Sequence, residues 1–248
     1  LRAVRRRIRA AARAQRDPAG LSGVPAEGSA SEIHIPVEVG RLEGSLFLPD
    51  APRGLVLFAH GSGSSRTSPR NRYVAAQLHT RGIGTLLFDL LTPVEDSLYR
   101  NRFDIELLSR RLLQATDWVL SARQVAKLPL GYFGASTGAA AALRAAAERG
   151  DQVRAVVSRG GRPDLAGPQA LEQVVSPTLL LVGGRDTTVL ALNRDAHAQL
   201  NCTKQMRVIP GAGHLFEEPG ALEQVSQEAA DWFERHFGLA AAAGSPAG

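Results

Sequence analysis

Residues 128–150, LPLGYFGASTGAAAALRAAAERG, contain the pattern that decides the fold. The stretch opens with an apolar run typical of a strand buried on both faces and ends in an alanine-rich run that favours a helix. Between them lies Gly134-Ala135-Ser136-Thr137-Gly138. A turn this tight holds its serine in a strained backbone conformation with the hydroxyl exposed. The pattern predicts a nucleophile at Ser136, and the alternative is an ordinary N-capping serine.

Strand and helix patterns alternate on both sides of this stretch. Residues 33–49 alternate apolar and polar side chains around Gly40 and Arg41, which predicts an antiparallel hairpin. Further strands are predicted at 54–60, 84–90, 153–159, 177–184 and 205–211, and helices at 69–81, 103–123, 189–200 and 219–237. The order predicts an α/β fold: a mostly parallel central sheet with an N-terminal antiparallel hairpin, helices on both faces and no large cap domain.

Ligands bind at the carboxyl ends of the strands in such sheets, so the residues that follow each strand are candidates for chemistry. Asp186 follows the strand at 177–184, and His214 follows the last strand. A serine hydroxyl needs a general base, and the base needs an acid that orients it. Triads whose serine lies in a strand-to-helix turn have the chain order serine, acid, histidine, and these three residues occur in that order. We therefore predict a catalytic triad of Ser136, Asp186 and His214.

Each partner of the serine has an alternative reading. Asp186 could cap the helix that follows it, and His214 could bond to loop backbone. Asp164 and Asp195 are rival acids. Asp164 comes before the last two strands, and Asp195 should lie in the middle of a helix, so both are weaker candidates.

The loop after the strand at 54–60 is glycine-rich and can supply a backbone donor to an oxyanion hole. We predict the two donors to be the N–H groups of Thr137 and Ser62, with Gly63 the next choice for the loop donor. His60, at the start of the loop, is expected to bond to loop backbone. The loop does not continue as a P-loop, and the spacing of the His and Asp residues matches no metal site, so no metal or organic cofactor is predicted.

Substrate contacts are expected on the same loops. The connection at 160–176 leaves room for little more than a loop and a short helix, which predicts an open site for small or medium acyl groups. Several arginines fall near this face, which makes an anionic substrate a hypothesis: Arg66, Arg70, Arg72, Arg100, Arg102, Arg159, Arg162 and Arg185. Gly63, Arg159 and Arg162 are the predicted substrate-binding residues.

Charge is distributed unevenly along the chain. Seven arginines and one aspartate give residues 1–17 a net charge of +6, whereas the whole chain carries +5, so residues 18–248 are close to neutral. The body is therefore not expected to bind nucleic acid. We divide the chain into an arginine-rich segment and linker (1–31), one α/β domain (32–238) and a disordered tail (239–248). No stretch predicts a transmembrane segment, and the single cysteine, Cys202, fits a reducing, cytoplasmic location.

The motifs HGSGSS, GYFGASTG, LLLVGGRD and GAGHLFEEPG occur in this order and resemble the dienelactone hydrolase-like branch of the α/β-hydrolase superfamily. The resemblance covers about residues 33–237. It is close to a bacterial group in which the hydrolase domain is often fused behind a phosphoribosyltransferase domain. By this resemblance Ser136, Asp186 and His214 are the triad.

One departure limits what the resemblance implies. Dienelactone hydrolase proper has a cysteine nucleophile, whereas this chain has Ser136 at that position. The expected function is hydrolysis of carboxylic esters, with thioesters or lactones as further substrates. The alternative is a non-catalytic or accessory hydrolase-fold domain of a larger, phosphoribosyltransferase-linked protein. The sequence leaves the oligomeric state open.

Overall fold

The computed structural model describes residues 30–238. The predictions for the arginine-rich segment, almost all of the linker and the C-terminal tail fall outside these residues. The strands are β1 (Ala30–Val37), β2 (Gly40–Phe47), β3 (Leu55–Ala59), β4 (Gly84–Phe88), β5 (Leu130–Ala135), β6 (Val153–Arg159), β7 (Thr178–Gly183) and β8 (Lys204–Ile209). The α-helices are α1 (Pro69–Thr80), α2 (Pro93–Asp96), α3 (Ile105–Ser121), α4 (Thr137–Arg149), α5 (Pro168–Gln173), α6 (Thr187–Gln199) and α7 (Ala221–His236).

The eight strands form one sheet in the order β1-β2-β4-β3-β5-β6-β7-β8. β2 pairs antiparallel with both β1 and β4. All other neighbours are parallel. The predicted fold class is confirmed: a mostly parallel sheet with an antiparallel N-terminal pair.

Helices cover both faces of this sheet. Strand β3 is an example of the consequence: its sequence is apolar at every position and does not alternate apolar with polar side chains. Leu55 and Leu57 belong to a core cluster that also contains residues of α3 and α4. Val56 and Phe58 point to the other face and pack in a second cluster with residues of α1 and α7. Since successive side chains of a strand alternate between faces, a strand with both faces buried must be apolar throughout.

The hairpin turn differs from the prediction. It consists of Glu38 and Val39, and Gly40 is already the first residue of β2, paired with Val37. Gly40 has φ +93°, a left-handed conformation that glycine adopts without a steric penalty. Gly40 therefore follows the turn and does not form its centre. The turn lies two residues closer to the N-terminus than the sequence predicts.

The connections at the carboxyl edge of the sheet are short. Between β6 and β7 the chain forms a 3-10 turn at Pro163–Ala166 and the short helix α5, so no large cap is present there. After β4 the chain forms α2 and a 3-10 turn at Tyr99–Phe103, neither of which was predicted from the sequence. The available signal was the capping box of Thr92 and Glu95, in which each side chain binds the other's backbone N–H.

Candidate active site

Ser136 occupies the turn between β5 and α4. Its φ is 51°, and only one other non-glycine residue of the described chain, Phe216, has a positive φ. Ser136 stands at the N-cap position of α4, but its side chain makes no capping hydrogen bond. The hydroxyl is thus not used to satisfy the helix, which argues against the N-cap alternative.

Two glycines make this turn possible. A Cβ on Gly138 would lie 2.1 Å from the carbonyl oxygen of Ala59, on the neighbouring strand. A Cβ on Gly134 would lie 2.4 Å from the Cα of Ala139. Both contacts are with backbone, which cannot move aside as a flexible side chain would. The small residues on either side of the serine are therefore a packing requirement of the strand-to-helix turn.

The Gly138→Ala substitution should lower the free energy of unfolding by about 3 kcal/mol or more, at the upper end of what overpacking costs, because its methyl group would overlap strand β3. Gly63→Ala is the matched control, since a Cβ there meets nothing within 4 Å. Urea denaturation of both variants measures the difference. Equal stabilities would show that the turn can relax and that Gly138 is not needed for packing.

His214 and Asp186 meet across the ends of β7 and β8. His214 Nδ1 lies 2.7 Å from Asp186 Oδ2. Asp186 immediately precedes α6, yet its side chain makes no capping hydrogen bond. An ionised carboxylate can only accept, so Nδ1 donates the proton and Nε2 is the basic nitrogen of the neutral ring. The structure thus brings these two predicted residues together in the arrangement that a general base requires.

A hydrogen-bond network that was not predicted from the sequence holds the loop that carries His214. Glu218 accepts a hydrogen bond from the N–H of Gly213 at 3.0 Å and also binds the Arg185 side chain. The backbone N–H groups of Glu218 itself and of Gly213 lower the pKa of the Glu218 carboxyl. The Arg185 N–H donates to the Ala212 carbonyl at 2.9 Å. The loops that carry Asp186 and His214 are therefore joined by several bonds.

The rival acids lie elsewhere. Asp164 accepts two hydrogen bonds from the Arg162 guanidinium, at 2.8 and 2.7 Å. Asp195 lies at an exposed position of α6. Among the hydrogen bonds and ion pairs of residues 30–238, His214 has Asp186 as its acidic partner. Of the three candidate acids, only Asp186 is placed to orient this imidazole.

The glycine-rich loop after β3 approaches Ser136. A Cβ on Gly61 would lie 3.8 Å from Ser136 Oγ. The Ser64 N–H donates to the Gly61 carbonyl at 3.0 Å and closes a turn that includes Ser62 and Gly63. Within residues 30–238, the Ser62 N–H has no hydrogen-bond acceptor. Ser62 also lines the pocket described below.

His60 anchors this loop as predicted. Its Nδ1 lies 2.9 Å from the Gly61 carbonyl oxygen, and its Nε2 accepts from the Leu90 N–H at 3.0 Å. The Nδ1–H therefore donates, and both ring nitrogens are occupied. Burial lowers the pKa of His60, which favours this neutral form. His60 is a positioning residue for the loop, since neither nitrogen is free for proton transfer.

A pocket of about 180 Å³ joins these elements. It is lined by Gly61, Ser62, Gly63, Ser64, Arg70, Ala135, Ser136, Arg159, His214 and Leu215. Thr137 lies one residue beyond this lining, at the first position of α4, where a backbone N–H has no partner within the helix. Among the hydrogen bonds of residues 30–238, none joins Ser136 to His214 across the pocket. Hydrogen bonds between catalytic groups are often long without substrate and shorten only when substrate binds.

The predicted substrate residues separate into two groups. Gly63 and Arg159 line the pocket with Ser136, whereas Arg162 does not and is bound to Asp164. Arg70, on α1, lines the pocket and was not among the three residues selected from the sequence. Burial, and then the positive charge of Arg70, lower the pKa of Arg159 to about 10. We therefore replace Arg162 by Arg70 in the candidate site.

Three further observations concern other kinds of site or segment. A larger surface groove of about 830 Å³, between α3, α4 and α5, includes none of the triad candidates. Within residues 30–238, no three His, Cys, Asp or Glu side chains are grouped so that they could hold a metal ion. None of the helices in this range has the length and apolar character needed to cross a bilayer.

Comparison with protein families matches residues 52–236 to an alpha/beta hydrolase domain. Two curated proteins, from two strains of Mycobacterium tuberculosis, are 56% identical to this chain over 229 residues. Both are named as candidate phosphoribosyl transferases. The alignment covers 91% of this chain and 52% of each relative, so the chain spans about half the length of the curated relatives it matches.

Solved structures give the same architecture. The crystal structure of a dienelactone hydrolase from Anabaena variabilis is 53% identical, with a TM-score of 0.82, and the match covers 85% of this chain and 99% of that one. Est1E from Butyrivibrio proteoclasticus is 16% identical, with a TM-score of 0.71, over 85% of this chain and 100% of its own. The second likeness concerns the fold alone, whereas the first also extends to the sequence.

Proposed function

The chain belongs to the dienelactone hydrolase-like branch of the α/β-hydrolase family, and from that premise we propose that it is a serine hydrolase that cleaves carboxylic esters of small to medium acyl groups. Ser136 is the nucleophile, His214 the general base and Asp186 the acid that orients the base. The observation that carries the proposal is the contact of 2.7 Å between His214 Nδ1 and Asp186 Oδ2, at a pocket that is also lined by Ser136, a half-buried serine whose side chain makes no capping hydrogen bond.

In the first half of the reaction, His214 Nε2 takes the Ser136 proton while Oγ attacks the ester carbonyl carbon. The carbonyl oxygen becomes an oxyanion, and the N–H groups of Thr137 and Ser62 are its proposed donors. The positive end of the α4 dipole lies at the same point and favours negative charge. When the tetrahedral intermediate collapses, the protonated His214 gives its proton to the departing alkoxide, and the acyl group stays on Ser136.

In the second half, water replaces the alcohol. His214 removes a proton from the water as the oxygen attacks the acyl-enzyme carbonyl, and the same two N–H groups receive the new oxyanion. Collapse of this intermediate releases the carboxylic acid and returns the proton to Ser136. The cycle consumes one water per ester and uses no cofactor.

The small pocket and the absence of a large cap between β6 and β7 favour short acyl chains. Thioesters and lactones present the same electrophilic carbonyl and belong to the proposed range. A small-molecule ester is thus the proposed partner. A cytoplasmic location completes the proposal and is supported by the single cysteine, Cys202.

A fluorophosphonate probe tests the nucleophile directly, because it reacts with activated serines. We expect one covalent adduct, located on Ser136 by mass spectrometry. The adduct should be lost in Ser136→Ala and formed much more slowly in His214→Ala, since the serine would then lack its base. A folded wild-type chain that forms no adduct would contradict the proposal.

A second candidate function follows from the length of the relatives. Because the chain spans 52% of proteins named as candidate phosphoribosyl transferases, it could serve as an accessory domain of a longer protein and perform no hydrolysis itself. Labelling distinguishes the two functions, since an accessory domain needs no activated serine. A pull-down with and without residues 1–30 tests whether the arginine-rich segment binds such a partner.

A further inference from the structure

Asn193 is a polar residue on the buried side of α6. It is 0% exposed, and its Nδ2 donates to the carbonyl oxygens of Val189, one turn earlier, and of Gly161, at 2.8 and 2.9 Å. Both partners can only accept, so the amide nitrogen must face them. Its Oδ1 is buried and has no hydrogen-bond partner among residues 30–238. A half-satisfied buried amide costs free energy that an apolar side chain would not, which points to the bond with Gly161 as the reason for keeping it.

Gly161 belongs to the loop at 160–162, which follows β6 and binds the turn that carries Ser136. The Arg162 N–H donates to the Ser136 carbonyl oxygen at 3.1 Å, and the Ser136 N–H donates to the Arg159 carbonyl oxygen at 3.2 Å. Both backbone groups of Ser136 are therefore bound by residues at the end of β6 or just beyond it. A serine at φ 51° keeps that conformation only where its surroundings hold it there, and these two bonds contribute to doing so.

The loop at 160–162 also lies against His214. A Cβ on Gly160 would be 3.1 Å from the His214 carbonyl oxygen and 3.6 Å from its Nδ1. Asn193 lies two turns along α6 from Asp186, which immediately precedes that helix. The bond that Asn193 makes to this loop thus joins the helix that presents the acid to a loop in contact with both the serine and the histidine.

We propose that Asn193 is a positioning residue of the candidate active site: its amide holds the loop at 160–162 in place and so keeps Ser136 and His214 at the separation that proton transfer requires. The inference rests on the proposed hydrolase function and adds to it a residue outside the pocket lining. Asn193 acts through the loop backbone and touches no reacting group itself. Because a displacement of about 1 Å between reacting groups can cost about 100-fold in rate, loss of this one bond should slow the reaction.

Asn193→Ala tests the proposal, and Asn193→Leu, which fills the space but also lacks the donor, takes its place if the alanine variant does not fold. We expect the fluorophosphonate probe to label Ser136 about 10- to 100-fold more slowly in this variant. Thr116→Ala is the matched control. Thr116 is also 0% exposed and also donates to the carbonyl oxygen four residues earlier in its helix, at 2.8 Å, but it lies on α3, outside the pocket lining. Both variants should unfold at a lower urea concentration than wild type, whereas only Asn193→Ala should be labelled more slowly. A merely structural role would lower both stabilities and leave both labelling rates unchanged, and that result would overturn the inference.

Asn193→Asp distinguishes the hydrogen bond from the filling of space. Aspartate has almost the shape of asparagine, and its protonated form has one O–H that can donate to Gly161, whereas the carboxylate can only accept. Burial raises the pKa of such a carboxyl group, so a change from about pH 8.5 to about pH 6 should favour the protonated form. Relative to wild type at the same pH, Asn193→Asp should therefore be labelled faster than Asn193→Ala at the lower pH. Equal ratios for the two variants at both pH values would show that the amide does not act as a donor, and the inference would fail.

Amide hydrogen exchange separates this inference from the proposed function, because it needs no catalysis. The Arg162 N–H, which donates to Ser136, should exchange about tenfold or more faster in Asn193→Ala than in Thr116→Ala, which corrects for the loss of global stability. If wild type forms no adduct but exchange rises in this way, the hydrolase function is rejected and the positioning of Ser136 by Asn193 stays. If wild type is labelled but neither labelling nor exchange differs between the two variants, the positioning role is rejected and the hydrolase function stays.

Discussion

Ser136→Ala should lower kcat/KM for 4-nitrophenyl acetate by about 10⁴- to 10⁶-fold, because the substitution removes the atom that attacks the carbonyl. Stability should change little. Alanine and serine meet the same steric cost at φ 51°, and the Ser136 side chain makes no capping hydrogen bond that alanine would lose. The loss should therefore appear in turnover while the urea midpoint stays close to that of wild type.

The double variant Ser136→Ala/His214→Ala makes this prediction more specific. Groups that act as one unit have non-additive effects, so the double variant should be about as slow as Ser136→Ala alone. Initial rates at saturating ester concentration measure kcat, and those at limiting concentration measure kcat/KM. Ser121→Ala, which removes a hydroxyl from the end of α3, is the control and should keep wild-type activity. If Ser136→Ala retained more than about a hundredth of the wild-type rate, Ser136 would not be the nucleophile.

The position of the candidate triad could be predicted because it depends on local turns and strand order. A small-residue turn between a strand and a helix specifies its own geometry, as the backbone contacts of Gly134 and Gly138 make clear. Asp186 and His214 follow β7 and β8, which are parallel neighbours in the sheet. Parallel strands end at the same edge, so residues that follow them lie close together even when 28 positions separate them in sequence.

The substrate side of the site could not be predicted in the same way. Arg159 and Arg162 are three residues apart, yet Arg159 is buried at the pocket and Arg162 is bound to Asp164. Which arginine faces the pocket depends on the path of the chain after β6, and a sequence pattern does not specify that path. Arg70 reaches the pocket from α1, so its role depends on tertiary packing.

The exact position of the hairpin turn between β1 and β2 could not be predicted from the sequence either. A glycine beside a charged residue between two strands predicts a turn, and a turn is present. Whether glycine forms the centre of the turn or its last residue depends on which positions need φ > 0, and the two choices differ by two residues. The choice does not affect which faces of β1 and β2 are buried, because a shift of two residues keeps the alternation of the side chains.

Asp186→Asn should lower kcat about 10⁴-fold, because an amide can donate to Nδ1 and so favour the ring tautomer whose Nε2 carries the proton. That tautomer cannot accept the Ser136 proton. The amide also removes the negative charge that stabilises the imidazolium formed during the reaction. Since Asp186 makes no capping hydrogen bond to α6, the helix should keep its stability, and thermal unfolding should report a small change.

Asp164→Asn and Asp195→Asn are the matched controls for this effect. Asp164 is half-buried and bound to Arg162, and Asp195 is exposed on α6. Neither carboxylate contacts His214, so neither substitution should lower kcat more than about threefold. The comparison is decisive because all three substitutions replace one carboxylate oxygen by an amide nitrogen. A large loss in Asp164→Asn with a small one in Asp186→Asn would move the acid to the end of β6. The reverse pattern requires the acid to act through Nδ1 of His214, since that is the contact that Asp186 has and the other two lack.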